Sequence, residues 1–146
     1  MKRSGYVDCD SLDNLDFGRW RGAVMSATRG KRGHQFFVDL LAALDAMPKK
    51  RLIADVLATA DGEVCAIGAL GVKRGIDMTN IDPEDPEQVG AAFGIATCLA
   101  QEVVYMNDEY YDARILIETP EKRWERMRAW TQKQIEKGRR KEATRA

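Results

Sequence analysis

Phe36-Phe37-Val38-Asp39-Leu40-Leu41-Ala42-Ala43-Leu44-Asp45-Ala46-Met47-Pro48 is the stretch that decides the fold class. Within it Phe37, Leu40, Leu41, Leu44 and Met47 recur every three or four residues, the spacing that lines side chains along one face of an α-helix. Pro48 ends the run, because a proline drives the preceding residue out of helical geometry. On the N-terminal side, Trp20, Ala23, Val24 and Ala27 follow the same spacing and predict a short helix over 18–28, with Gly30 as its stop.

Toward the C-terminus the signals are capping signals. Asp85-Pro86-Glu87-Gln88 offers an N-cap, a first-turn proline and a glutamine three residues beyond the cap, so a helix is expected from Pro86 to Phe93, closed by Gly94. The next helix, about 95–107, carries Ile95, Cys98, Leu99, Val103 and Met106 on one side. Thr119 and Pro120 open the last one, whose apolar arc holds Trp124, Met127, Trp130 and Ile135. Residues 51–75 contain two competing patterns. Leu52, Ile53, Val56 and Leu57 fit a helix, while Asp61-Gly62 between apolar runs is a hairpin-turn signal; helix is the expectation, ending at Gly75 behind Lys73 and Arg74. Ala66, Gly68, Ala69 and Gly71 would let a neighbouring helix approach closely. The sum is an all-α fold, a compact bundle of about six helices with a short extended piece near 113–118.

One domain is what 146 residues accommodate. It is expected over 18–136, between an acidic, loosely ordered arm at 1–17 and a basic, disordered tail at 137–146 that carries Lys137, Arg139, Arg140, Lys141 and Arg145. The 23 basic and 23 acidic side chains cancel, so bulk charge draws the chain to no polyanion and any charge-based contact must come from local clusters. Three cysteines, odd in number and far apart, suit free thiols in a reducing cytosol. No run approaches the ~18 apolar residues of a membrane span. A soluble, cytoplasmic protein without a membrane partner is expected.

Several constellations carry candidate chemistry. Residues 86–105 have the outline of a helix-turn-helix, yet 95–113 contain no Lys or Arg and do contain Glu102, Asp108, Glu109 and Asp112, which phosphates repel. Arg29, Lys31, Arg32 and His34 form an anion-binding candidate without Walker spacing; a solvated loop is the plainer reading. Cys65 at a helix start, with His34 as base, would be the dyad of a cysteine-dependent enzyme, against the commoner role of cysteine as a small buried packer. One histidine and no paired cysteines give no metal spacing, and no cofactor motif is present. Glu102 falls within an apolar stripe, so it must be paired or neutral, and a buried pair with an arginine or His34 is the expectation. Tyr105, Tyr110 and Tyr111, with Asp108 among their acidic neighbours, suit a protein-binding surface.

Three segments together, Cys65-Ala66-Ile67-Gly68-Ala69-Leu70, Tyr105-Met106-Asn107-Asp108 and Thr119 to Trp130, resemble a pattern found in a family of short helical proteins encoded by tailed phages and prophages, with the likeness running from about Gly18 to Ile135. The resemblance implies an all-helical fold and a phage context, and it brings no activity with it. The function expected is that of a phage-type accessory protein that binds a host or phage macromolecule, such as a counter-defence or host-directed adaptor. A protein partner is favoured; weak nucleic-acid binding through 29–34 and a Cys65/His34 enzyme are the alternatives.

Overall fold

In the computed structural model, the described residues are 3–6, 14–110 and 118–145. They form six α-helices, α1 (Asn14–Arg29), α2 (Lys31–Ala46), α3 (Ala66–Arg74), α4 (Pro86–Phe93), α5 (Thr97–Asp108) and α6 (Pro120–Arg145). Among the described residues there is no strand, only an isolated antiparallel bridge between Ala58 and Val64. The all-α expectation holds.

The stripe on α2 builds the centre. Phe36, Phe37, Leu40 and Leu44 are at most 1% exposed and meet Ile67 and Leu70 of α3. Burial on this scale is worth about 1.5–3 kcal/mol per large side chain. α6 runs antiparallel along α2. Trp124 donates its indole N–H to the Leu44 carbonyl (3.1 Å), the Phe37 and Trp130 rings stand edge to face at 5.4 Å, and the His34 ring lies against Gly138, where a Cβ would come 2.6 Å from Nδ1. α1 packs antiparallel on α5, and α4 and α5 meet at a corner of 105°. No single helix among the described residues is long and apolar enough to cross a membrane. The bent pair α4 and α5 passes on composition, but it places Val89, Phe93, Leu99 and Val103 in the core.

Local chemistry explains the boundaries. Asp85 accepts the Glu87 and Gln88 amides at the start of α4, as its sequence predicts. Gly75 and Gly94, at φ 69° and 71°, take the left-handed conformation that closes α3 and α4. Thr119 accepts the Lys122 amide at 3.1 Å and caps α6. α6 then continues beyond 136 as far as Arg145, and α1 begins at Asn14, four residues ahead of the expected start. Arg3 and Ser4, in the stretch expected to be loose, are 4% and 0% exposed. The extended piece expected near 113–118 falls almost wholly outside the described residues.

The helix expected over 51–64 is a correction. That segment is a non-helical loop, folded back at Asp61-Gly62 with Gly62 at φ 85° and held by the Thr59 amide on the Glu63 carbonyl (2.8 Å) and the Ile53 amide on the Val64 carbonyl (2.9 Å). The turn signal outweighs the apolar spacing because Gly68 admits the folded loop. A Cβ there would stand 1.9 Å from the Leu57 carbonyl oxygen. Gly68 thus receives the loop's backbone, while Gly71 faces the side chains of Met78 and of Phe93 from the neighbouring helix α4.

Candidate functional site

Three groups of side chains stand out, two near the C-terminal end of α5 and the start of α1, and one at the joint between α1 and α2. At the C-terminal end of α5, Asn107 and Asp108 face the start of α3 and the 51–64 loop. Asn107 accepts the Ala66 amide on Oδ1 (3.1 Å) and donates from Nδ2 to the Ile53 carbonyl (2.9 Å) and to Asp108 Oδ1 (2.7 Å). Asp108 receives Arg3 through Nε and Nη2, the latter at 2.7 Å, and the Asp55 amide at 3.3 Å. Asp55 itself sits at φ 74°, a left-handed conformation that non-glycine residues seldom adopt. Arg3 Nη1 reaches the Cys65 sulfur at 3.7 Å, and that sulfur caps α3 by accepting the Gly68 amide at 3.3 Å. Burial works against the Arg3 charge, but Cys65 and Asp108 outweigh it and hold the guanidinium pKa above its usual value.

This cluster is closed. The Arg3 and Asp108 side chains are 2% and 6% exposed, and Cys65 and Asn107 are 1% exposed. Donors and acceptors are matched within it, which is what a buried polar group needs to avoid a desolvation penalty. His34 is held at the other end of the molecule by Gly138, while Cys65 has Arg3 and the α3 amide as neighbours. The structure therefore does not bring the Cys65 and His34 of the expected dyad together, and the described polar neighbours of the thiol are Arg3 and the Gly68 amide. Asp108, expected on a partner-binding surface, points inward to Arg3. Its proximity to tyrosines in sequence is not proximity to solvent.

One turn before Asn107, Glu102 is 7% exposed. Arg21 of α1 grips it with two parallel bonds of 2.9 Å, and the Tyr6 hydroxyl donates to Oε1 at 2.9 Å. The buried pair with an arginine expected from the sequence is present. Arg21's pKa is raised, chiefly by this carboxylate. Burial and then the Glu102 charge push the Tyr6 phenol up as well.

Tyr6 also links a run of aromatic rings. Phe17 stands 5.5 Å from Trp20, Trp20 4.7 Å from Tyr6, Tyr6 5.1 Å from Tyr105, and Tyr105 6.4 Å from Tyr110. The run ends in water on both sides, with Phe17 41% and Tyr110 51% exposed, and Leu15 next to Phe17 is 62% exposed. Arg21 stacks over Trp20 at 4.9 Å. Tyr105 and Tyr110 are thus brought together as expected, while Tyr111 lies outside the described residues.

At the opposite end, Arg29, Lys31, Arg32 and His34 do not form a loop. Arg29 closes α1, Lys31 opens α2, and Gly30 alone joins them. Arg29, Lys31 and Arg32 are exposed; His34 is half-buried. Among the described residues no group of three His, Cys, Asp or Glu side chains could hold a metal ion.

Comparison with protein-family models, with curated proteins and with solved structures finds no match to this chain. What sequence reasoning missed is Arg3 and Tyr6, because an arm with no apolar periodicity offers no sign that it packs. Asn107 stands at the expected end of the 95–107 helix, where its spacing alone marks no contact. An amide side chain at a helix end facing a Cys-capped helix was the available signal, but only contact across 41 residues gives it meaning.

Proposed function

We propose that this chain acts by binding a protein partner through the aromatic strip of Phe17, Trp20, Tyr6, Tyr105 and Tyr110. The observation that carries this reading is the strip itself, five rings in sequence with both ends in water and an arginine stacked on its tryptophan. Trp, Tyr and Arg dominate binding energy at protein interfaces, the two aromatics because they bury much area while losing few rotamers and Arg because its planar guanidinium stacks and donates several hydrogen bonds. Tyr6 and Trp20 are fixed from below by Glu102 and Arg21, so the surface is organised before a partner arrives. An enzymatic role through Cys65 has less support, since that thiol is enclosed and, among the described residues, His34 lies away from it. The resemblance to short phage-encoded helical proteins gives the biological setting for the proposal, an accessory protein directed at a host or phage macromolecule, of which a counter-defence adaptor is one form.

The test is affinity capture from a host extract, with and without nuclease, using the unaltered chain and a Phe17→Ala, Tyr110→Ala double variant. Both side chains are exposed, so the variant keeps its fold. A partner that survives nuclease and is lost at least tenfold in the variant supports the reading. Equal capture by both chains contradicts it, as does a partner released by nuclease.

A further inference from the structure

Two basic stretches of the sequence, 29–34 and 133–141, lie about a hundred residues apart and meet in the fold. Gly138 of α6 rests on the ring of His34 in the first turn of α2, and Lys137 and Arg139 flank that contact point. Arg29, Lys31, Arg32, Lys137 and Arg139 are all exposed. Among the described residues none of these five makes an ion pair. Elsewhere Arg3, Arg21, Arg51, Arg74, Arg123, Arg126 and Arg128 are each engaged with a carboxylate. Arg19, Lys49, Lys73 and Lys133 are exposed cations without an ion pair among the described residues too; what marks this end is that two sequence-distant stretches bring Arg29, Lys31, Arg32, Lys137 and Arg139 together, with Glu136 the carboxylate on the same stretch of α6.

The local electrostatics raise the cost of that arrangement. Lys31 and Arg32 stand in the first turn of α2, which has no acidic residue and no side-chain cap. The helix dipole disfavours cations there, and an anion at this end relieves the repulsion. Beside them is a shallow depression of about 390 Å³ lined by Lys31, Arg32, Gln35, Gly94, the Asp39-paired Arg74 and the buried rings Phe36 and Phe93. The large exposed apolar side chains of the described residues, Leu15, Phe17, Met25, Val38, Val72 and Tyr110, all lie outside 29–34 and 133–139. A surface of cations without apolar anchors lacks what a protein hot spot or a bilayer-inserting face requires. It matches a repeating phosphate backbone, which asks for charge alone.

We propose that the end of the bundle formed by the α1–α2 joint and the last part of α6 is a sequence-independent docking site for the phosphodiester backbone of nucleic acid. It is a second surface, separated from the aromatic strip by most of the length of α1, about 18 Å from Phe17 to Arg29 at the helical rise per residue. The affinity is modest, in the range of about 10⁻⁴ to 10⁻⁶ M at physiological salt that backbone contacts alone supply.

Fluorescence anisotropy of the full chain with a labelled DNA duplex and, separately, a labelled single-stranded RNA tests this across a salt series. Polyglutamate and vesicles of mixed phosphatidylserine and phosphatidylcholine serve as the other polyanions. Two variants carry the same change in net charge: Lys31→Glu with Lys137→Glu at the proposed site, and Lys49→Glu with Lys122→Glu at the other end of α2 and α6. The expected result is binding to either nucleic acid that shows no sequence preference and falls with salt, at least a tenfold loss for the first pair and less than a threefold loss for the second. The milder pair Lys31→Gln with Lys137→Gln repeats the test if the first is unstable, and should flatten the logarithmic salt slope by roughly 0.9 per lost phosphate contact on duplex. Phe17→Ala, Tyr110→Ala should leave this binding unchanged. Equal losses for the two glutamate pairs, retention in both, no binding to either nucleic acid, or tighter binding to vesicles or polyglutamate would each overturn the proposal.

Discussion

Where Arg3 meets Asp108, a guanidinium is withdrawn from water and every polar atom around it has a partner. Where α1 meets α2, Arg29, Lys31 and Arg32 stand in solvent and, among the described residues, make no ion pair. The same residue types do opposite work. The first arrangement locks α3, α5, the 51–64 loop and the N-terminal strand of chain into one piece, because an unpaired charge at that depth would be very costly. The second contributes little to folding and leaves charge available to something else. Burial, more than residue identity, separates a structural cluster from an interaction surface here. The Cys65, Asn107 and Asp108 group therefore reads as scaffold, though its composition alone suggests chemistry.

The contrast can be broken by mutation, and the largest effect is expected at its closed end. Asp108→Ala strands the buried Arg3 and should cost roughly 3–5 kcal/mol in denaturant melts, the usual penalty for removing one partner of a buried pair. A cost under about 1 kcal/mol would mean the cluster opens to water. Glu102→Ala should cost less, roughly 1.5–3 kcal/mol for lost hydrogen bonds to a charged group, because the Arg21 side chain is 36% exposed and can turn to solvent. Glu102→Gln, which keeps the shape, should fall below it; a midpoint unchanged or raised in both variants would make Glu102 a functional residue.

Tyr6 sharpens the same point through pH. Its phenol is raised in the folded state, by burial first and then by Glu102. The unfolded chain thus loses that proton first, above about pH 10, and stability should drop as pH rises from there. Tyr6→Phe should remove that part of the alkaline decline, and an unaltered pH profile would detach Tyr6 from Glu102. The smallest change is expected at the open end. Arg32→Ala and Lys137→Ala should each shift stability by no more than about 0.5 kcal/mol, as exposed substitutions do. A larger loss in either would show that these cations hold the fold.

Much of the architecture was legible in residues that act locally. Asp85, Pro86 and Gly94 bracket α4 because caps and stops need no distant partner. Phe37, Leu40 and Leu44 mark α2 because a three- and four-residue rhythm has one meaning over that length. The 51–64 segment misled because Leu52, Val56 and Leu57 are apolar at helical spacing for another reason. They line a loop that only the absence of a side chain at Gly68 can seat. α6 outran its expected end because its last residues carry no apolar rhythm, while Glu136, Lys137, Arg139, Arg140 and Lys141 are good helix formers that extend a helix already anchored on α2. Of the candidate site, the tyrosines and the basic run were visible in sequence. The inward turn of Asp108 and the meeting of Gly138 with His34 depend on long-range packing, and no spacing rule reports them.

The central claim is that the Cys65, Asn107 and Asp108 junction is closed scaffold and that interaction surfaces lie elsewhere. Thiol labelling of the native chain at neutral pH, with rates resolved by peptide mass spectrometry, tests it with an internal reference, since Cys98 is half-buried and Cys65 is 1% exposed. Cys65 should label much more slowly than Cys98 in the folded state, and the two should converge when the chain is unfolded. Labelling of Cys65 as fast as Cys98, or faster, under native conditions would contradict the account and turn the junction into a reactive site.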